Sequence, residues 1–355
     1  MPRETLMHHA PQPSSAHCTR PDAARAFTLV ELLMSMAIIF LLIGVAFYAL
    51  QSARRSGSRT ETLNALRQMS RAYSAYADDH KGHFMPGYVD AAMIGTGPNQ
   101  LDLKATLPTG QDLQPADVSS YVWRMAPYLD HAWKTYMVDY RDSGLDGRFI
   151  EEYSCGNYVC GGGLPNGVFG PHNLTGPNVG IALRPSFGLN SIYLGGDTAH
   201  GDVSASPWAV TWPPTLNSAS VAAMRMSEVK SPAKIIVFAP VRAGNSDTLM
   251  GTLQTSAELG YPVLTPPYAK FDKTTQAASS PHWRFTSIAT TGIELQGSAA
   301  AATTGLPLDR LNDHKIATSH LDGSVTTEEL EGIGPSNNNA ATRMSRWSPF
   351  AVGNN

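Results

Sequence analysis

The hydrophobic pattern along this 355-residue chain passes from continuous, to steps of three and four, to short strand-like runs. From Phe27 to Leu50 the sequence FTLVELLMSMAIIFLLIGVAFYAL is apolar at nearly every position, and Glu31 is its only ionisable residue. At about 1.5 Å per residue this run makes a helix of roughly 36 Å, enough to cross a hydrocarbon core of about 30 Å. From Thr60 to Asp79 the apolar residues Leu63, Leu66, Met69, Tyr73 and Tyr76 recur at helical spacing, the stripe of an amphipathic helix with one packed face. Together the two stretches predict a helix of about fifty residues, interrupted and bent only at Ser56-Gly57-Ser58.

Beyond His80 the helical pattern ends. Gly82, Pro86, Gly87, Gly95, Gly97 and Pro98 predict a long exposed excursion as far as Thr109. A second helix is predicted from Pro115 through Val118, Tyr121, Val122 and Met125, with Pro127 ending or kinking it. IIVFAPV, residues 235–241, is compact, β-branched and aromatic, the composition of a buried strand. HKIATSHLDGSVTTEEL, residues 314–330, alternates about Asp322-Gly323 and predicts a hairpin.

Composition narrows the class. Charged residues make up 15% of the chain, below the usual ~25% of soluble domains, and 31 Gly with 25 Pro point to a body rich in turns and strands. A formal net charge of -3 leaves no electrostatic footprint for nucleic acid. The first 26 residues are polar and contain no apolar core, unlike an ordinary secretory leader. A lone carboxylate inside an apolar span costs several kcal/mol unless it is paired, which makes Glu31 a functional candidate. The alternative is a plain signal anchor with Glu31 at headgroup level, where the charge costs little.

Ala26, Phe27, Thr28, Leu29, Val30, Glu31, Leu32 and Leu33 together resemble the start of the type IV prepilin and pseudopilin family, whose signature is a small residue, Phe-Thr-Leu-x-Glu and a long apolar helix. Ala26 stands where that family usually has Gly. The resemblance implies cleavage by a prepilin peptidase after Ala26, methylation of the new amine on Phe27, and assembly with other pilin or pseudopilin subunits. In that arrangement Glu31 is neutralised by the terminal ammonium of a neighbour, which sets the register. The implied organisation is a leader at 1–26, a membrane and assembly helix at 27–50, its amphipathic continuation at 51–80 and a head at 81–355. The helix would cross the inner membrane once, with the head in the periplasm or on the cell surface. Arg54, Arg55, Arg59, Arg67 and Arg71 after the span favour the opposite orientation by charge count. The expected fold is α+β and pilin-like: a long N-terminal helix on an antiparallel sheet, with Gly- and Pro-rich loops.

Three further stretches resemble a large family of prepilin-like proteins: Trp123, Pro127, Tyr128 and Leu129 in VWRMAPYLDHAW, the run FGLNSIYLGGD at 187–197, and Asp322-Gly323-Ser324-Val325. That family places a His about nine residues before the Asp-Gly, whereas His314 and His320 here have different spacings, and a structural turn accounts for the motif. With Cys18 lost in the leader, Cys155 and Cys160 remain as an even pair. Outside the cytoplasm they can close a small disulfide loop, the alternatives being a metal half-site or free thiols. Asp197, His200 and Asp202 have a spacing suited to a cation, and ordinary turn chemistry explains them equally.

No Gly-x-Ser-x-Gly elbow, His-Glu-x-x-His helix or P-loop occurs, and the eleven His residues are scattered, with His282 in SPHWRF the first to test. No enzyme, cofactor or resident metal is expected. A filament subunit and a membrane-anchored periplasmic enzyme or binding protein borrowing the same signal are the two readings left.

Overall fold

The computed structural model describes residues 28–89, 91–97, 100–106, 110, 112–136, 182, 185–197, 222–242, 260, 262–267, 305–307, 315–334 and 344–350. The chain divides between Arg54 and Arg55 into two compact units. The protein is α+β: one long N-terminal helix, α1 (Leu29–Asp79), and an antiparallel sheet, with short helices α2 (Pro115–Val118), α3 (Tyr121–Met125) and α4 (Leu330–Ile333).

In the first unit α1 is apolar on every side and its large side chains are exposed, among them Leu33, Phe40 and Leu41. A helix apolar all round suits a lipid surrounding, not water. α1 contains a window long and apolar enough to span a membrane. The helix runs without a break through Ser56, Gly57 and Ser58. The hydroxyls of Thr60 and Thr62 donate to the carbonyls of Ser56 and Ser58 at 2.9 and 3.0 Å, so the polar side chains at this point are satisfied within the helix.

In the second unit α1 becomes amphipathic. Leu66, Met69, Tyr73 and Tyr76 are buried while Arg67, Gln68 and Arg71 are exposed. The buried stripe packs on the sheet: Tyr73 lies edge-on to Phe238 at 5.7 Å and stacks with Phe84 at 6.0 Å. The sheet order is β1 (Phe187–Leu189), β2 (Ile236–Arg242), β4 (Lys315–His320), β5 (Val325–Glu329), with β3 (Leu306–Pro307) also paired to β2. β2 is the central strand because its run of Ile, Val and Phe is buried on both faces. The β4 and β5 hairpin turns where expected: Asp322 Oδ1 accepts from the amide and hydroxyl of Ser324, and Gly323 takes φ 84°.

Besides the interruption expected at Ser56-Gly57-Ser58, which the continuous α1 replaces, two further expectations are corrected. The stretch after Gly82 is no exposed excursion in its first part, since Phe84, Met85, Tyr88 and Val89 are core residues. Their backbone is held by distant partners: Phe84 N donates to Met224 O, Gly87 N to Gly196 O and Val89 N to Ser119 O. Gly195, at φ 74°, lets this segment in, because a Cβ there would stand 2.4 Å from the Met85 carbonyl. The helix expected from Pro115 to Met125 is two helices, α2 and α3. Ser120 breaks the run with extended φ/ψ and caps α3, its hydroxyl accepting from Val122 N. After Met125 the chain continues as a 3-10 turn, Ala126–Leu129, beginning at Pro127 minus one.

Candidate functional site

The helix start holds Glu31 in a reciprocal cap. The backbone N–H and the hydroxyl of Thr28 both donate to Glu31 Oε2, at 3.0 and 2.9 Å, and Glu31 N donates to Thr28 Oγ1 at 3.2 Å. Thr28-Leu29-Val30-Glu31 is therefore a capping box, a Thr at the cap and a Glu three residues later satisfying each other's backbone donors. Ser35, the next polar residue, donates to Leu32 O at 2.8 Å. Thr28, Glu31 and Ser35 thus all have partners within their own helix, as an apolar surrounding demands. The cap is legible in the sequence as T-x-x-E, a pattern that the lone charge in an apolar run overshadows. Ala26 and Phe27 lie outside the described residues.

Among the described residues two polar networks hold the head, one buried and one half-buried. The first centres on Arg124 of α3, only 1% exposed. Its Nη2 donates to the carbonyls of Pro86, Gly87 and Ser119, and its Nε to that of Ser120. Burial lowers the Arg124 pKa to about 10, against the opposing pull of Tyr76, Asp197 and Tyr73, so the guanidinium stays charged at neutral pH. The same region binds Asp197, whose Oδ2 accepts from Tyr88 N at 2.9 Å and Ser191 Oγ at 3.0 Å. Asp197 is thereby a turn and core residue.

The second network joins β4, β5 and the C-terminal segment 344–350. Glu328 Oε1 accepts from Thr318 Oγ1 at 2.9 Å and Thr326 Oγ1 at 3.1 Å and stands 3.0 Å from His320 Nε2. Its other oxygen pairs with Arg346. Because Glu328 accepts only, the geometry places a proton on His320 Nε2. Burial raises the Glu328 carboxyl, but the hydrogen bonds from His320 and Arg346 outweigh it and hold the pKa down at about 2. Arg346 O accepts from Ile236 N, and Trp347, fully buried, donates Nε1 to Ile333 O at 2.9 Å, so this pair closes the sheet over the end of the chain. Of the two His near the Asp-Gly turn, His320 is thus structural.

Cys155, Cys160, His172, His200, Asp202, His282 and His314 lie outside the described residues. Among the described residues no group of three or more His, Cys, Asp or Glu is placed to hold a metal ion. Residues 22–47 match the family described as the prokaryotic N-terminal methylation motif. The matched stretch contains the expected cleavage point, Thr28, Glu31 and most of the apolar span, and none of the three further stretches in the head. No curated protein and no solved structure matches the chain.

Proposed function

We propose that this chain, which carries the N-terminal signal of a type IV pilin-like substrate of prepilin peptidase, is a structural subunit of a pilus or of a type II secretion pseudopilus. In this reading the peptidase cuts after Ala26 and methylates Phe27, the span anchors the subunit in the inner membrane, and the head stands in the periplasm or on the cell surface. Neighbouring subunits then associate through their apolar helices. The observation that carries the reading is the match at residues 22–47 on a helix whose span holds one carboxylate and no basic side chain from Leu29 to Leu50. Cleavage supplies the missing cation: the Phe27 amine of one copy pairs with Glu31 of the next, in exchange for the Thr28 donors or beside them. Among the described residues of the head, the two polar networks bind its own backbone and strands. Cys155 and Cys160 are proposed to close a disulfide in the exported head, which non-reducing peptide mass mapping reads directly.

Mass spectrometry of the mature N-terminus tests the processing. A chain beginning at methylated Phe27 is expected, and a natural protein that retains its first 26 residues would sink the reading. The assembly is tested by Glu31→Ala, which is expected to abolish the sheared filament fraction while leaving the head folded.

A further inference from the structure

We propose that the exposed face of α1 between Arg67 and Asp78 is a contact between copies of this chain, in which the Asp78 carboxylate of one copy lies between the Arg67 and Arg71 guanidinium groups of the next. The inference rests on the filament reading above and names a polar contact in the head-side half of the helix.

Arg67, Arg71 and Asp78 are exposed on the face opposite the buried stripe of Leu66, Met69, Tyr73 and Tyr76. Their spacings of four and seven residues, about one and two helical turns, put them in a single row. The row is internally unmatched. Arg67 donates only to Asn64 Oδ1, at 2.9 Å, and neither Arg71 nor Asp78 has an ion-pair or hydrogen-bond partner among the described residues. Arg71 and Asp78 stand too far apart along the helix to satisfy each other, being about 10 Å distant in rise.

The face is therefore basic toward its N-terminal end and acidic toward its C-terminal end, which makes it complementary to a displaced copy of itself. Two copies whose spans enter the same membrane run parallel. A displacement of seven to eleven residues, roughly 10–16 Å, carries Asp78 of one past Arg71 and Arg67 of the other. Such a contact is head-to-tail and does not close on itself, so it propagates along a fibre. Exposed pairs of this kind add little affinity and mainly fix register, while the apolar spans supply the bulk of the association. An anionic lipid surface is the rival occupant, and it would leave the acid on this face without a purpose.

The experiment uses the full chain coexpressed with a prepilin peptidase and its assembly machinery, with sheared filaments quantified against total subunit. Arg67→Glu with Arg71→Glu is expected to cut the filament fraction at least tenfold, and adding Asp78→Lys is expected to restore it. The inference is overturned if the double variant assembles like the wild type or if Asp78→Lys fails to rescue. It is also overturned if the double variant loses association with phosphatidylglycerol vesicles and Asp78→Lys has no effect on either readout. Glu31→Ala run in parallel separates the two readings: loss with Glu31→Ala but normal assembly of the Arg variant leaves the filament reading standing and removes this contact. A wild-type chain that never assembles removes both.

Discussion

Glu31 stands on an apolar helix and Glu328 in a half-buried polar network of the head, and the molecule treats the two carboxylates differently. Glu328 receives the hydroxyls of Thr318 and Thr326, the imidazole of His320 and the guanidinium of Arg346, all from the head's own chain. Glu31 receives one residue, Thr28, through its amide and hydroxyl. A half-buried acid with a full set of donors, including a cation, is finished; it holds strands together and has no capacity for a partner. An acid on an apolar helix with neutral donors alone still lacks its counter-charge, and in the proposed filament an incoming amine removes that deficit. On this proposal the same side chain is a clasp in the head and a docking group in the span.

The largest expected effect separates these roles directly. Glu31→Ala should lower the filament fraction by about a hundredfold or more and leave the thermal midpoint of the head where it was, because the bonds Glu31 makes are with Thr28 in its own helical turn. Glu328→Ala should do the reverse at first instance. Removing the carboxylate from this half-buried network leaves Arg346 and His320 without their acceptor, a cost of about 2 kcal/mol, below that of a fully buried pair. For a body of this size that lowers the midpoint by roughly 3–4 °C. If Glu328→Ala unfolds at the wild-type temperature, the clasp does not exist as described.

Acid offers a gentler version of the same break. The Glu328 carboxyl is lowered from 4.5 to about 2, so it contributes stability that is fully present above pH 4.5 and is lost as the pH falls toward 2. Asp322 is also lowered: burial opposes, but the Ser324 hydroxyl and amide prevail. Being largely exposed, it adds little in the same window. The head's midpoint should therefore drop between pH 4.5 and 2, and Glu328→Gln should flatten that drop while starting from a lower plateau. An unchanged slope in Glu328→Gln would assign the acid sensitivity elsewhere.

The span was legible because nothing competes with its signal: an apolar run with one acid reads the same whatever surrounds it. β2 and the β4 and β5 hairpin were legible for a related reason, since β-branched composition and an Asp-Gly turn act over a few residues. The segment at 84–89 was not. Gly82, Pro86 and Gly87 have the composition of an exposed loop, and the intervening Phe84, Met85 and Tyr88 are held in the core by partners distant in sequence, the Arg124 guanidinium and the carbonyls of Gly196 and Met224. Glu328 was hidden similarly. Thr-Thr-Glu-Glu reads as a solvated edge, and only the pairing of Thr318 with Thr326 and of Ile316 with Glu328 brings Thr318, His320, Thr326 and Glu328 together. Arg346 then arrives from a segment with no periodic signal. The break at Ser120 was local and readable, but the apolar spacing across it pointed to a single helix.

The smallest effect probes how Glu31 waits. Thr28→Val keeps the shape of the side chain and removes its hydroxyl, and with it one donor to Glu31 and the acceptor of Glu31 N. A lost cap costs about 1 kcal/mol, so the first turn should open about five times more often. Amide exchange at Glu31 in detergent micelles would report this as a fivefold acceleration, with Thr28→Ser close to the wild type. Assembly should be largely spared. With its local donors reduced to the Thr28 amide, Glu31 gains more from a neighbour's ammonium than before, and the trans pair becomes the better of its two options. The filament fraction should therefore fall by no more than twofold in Thr28→Val. A collapse as severe as that of Glu31→Ala would mean that the hydroxyl of Thr28 is part of the docking chemistry and that the cap and the pair are one arrangement, not alternatives.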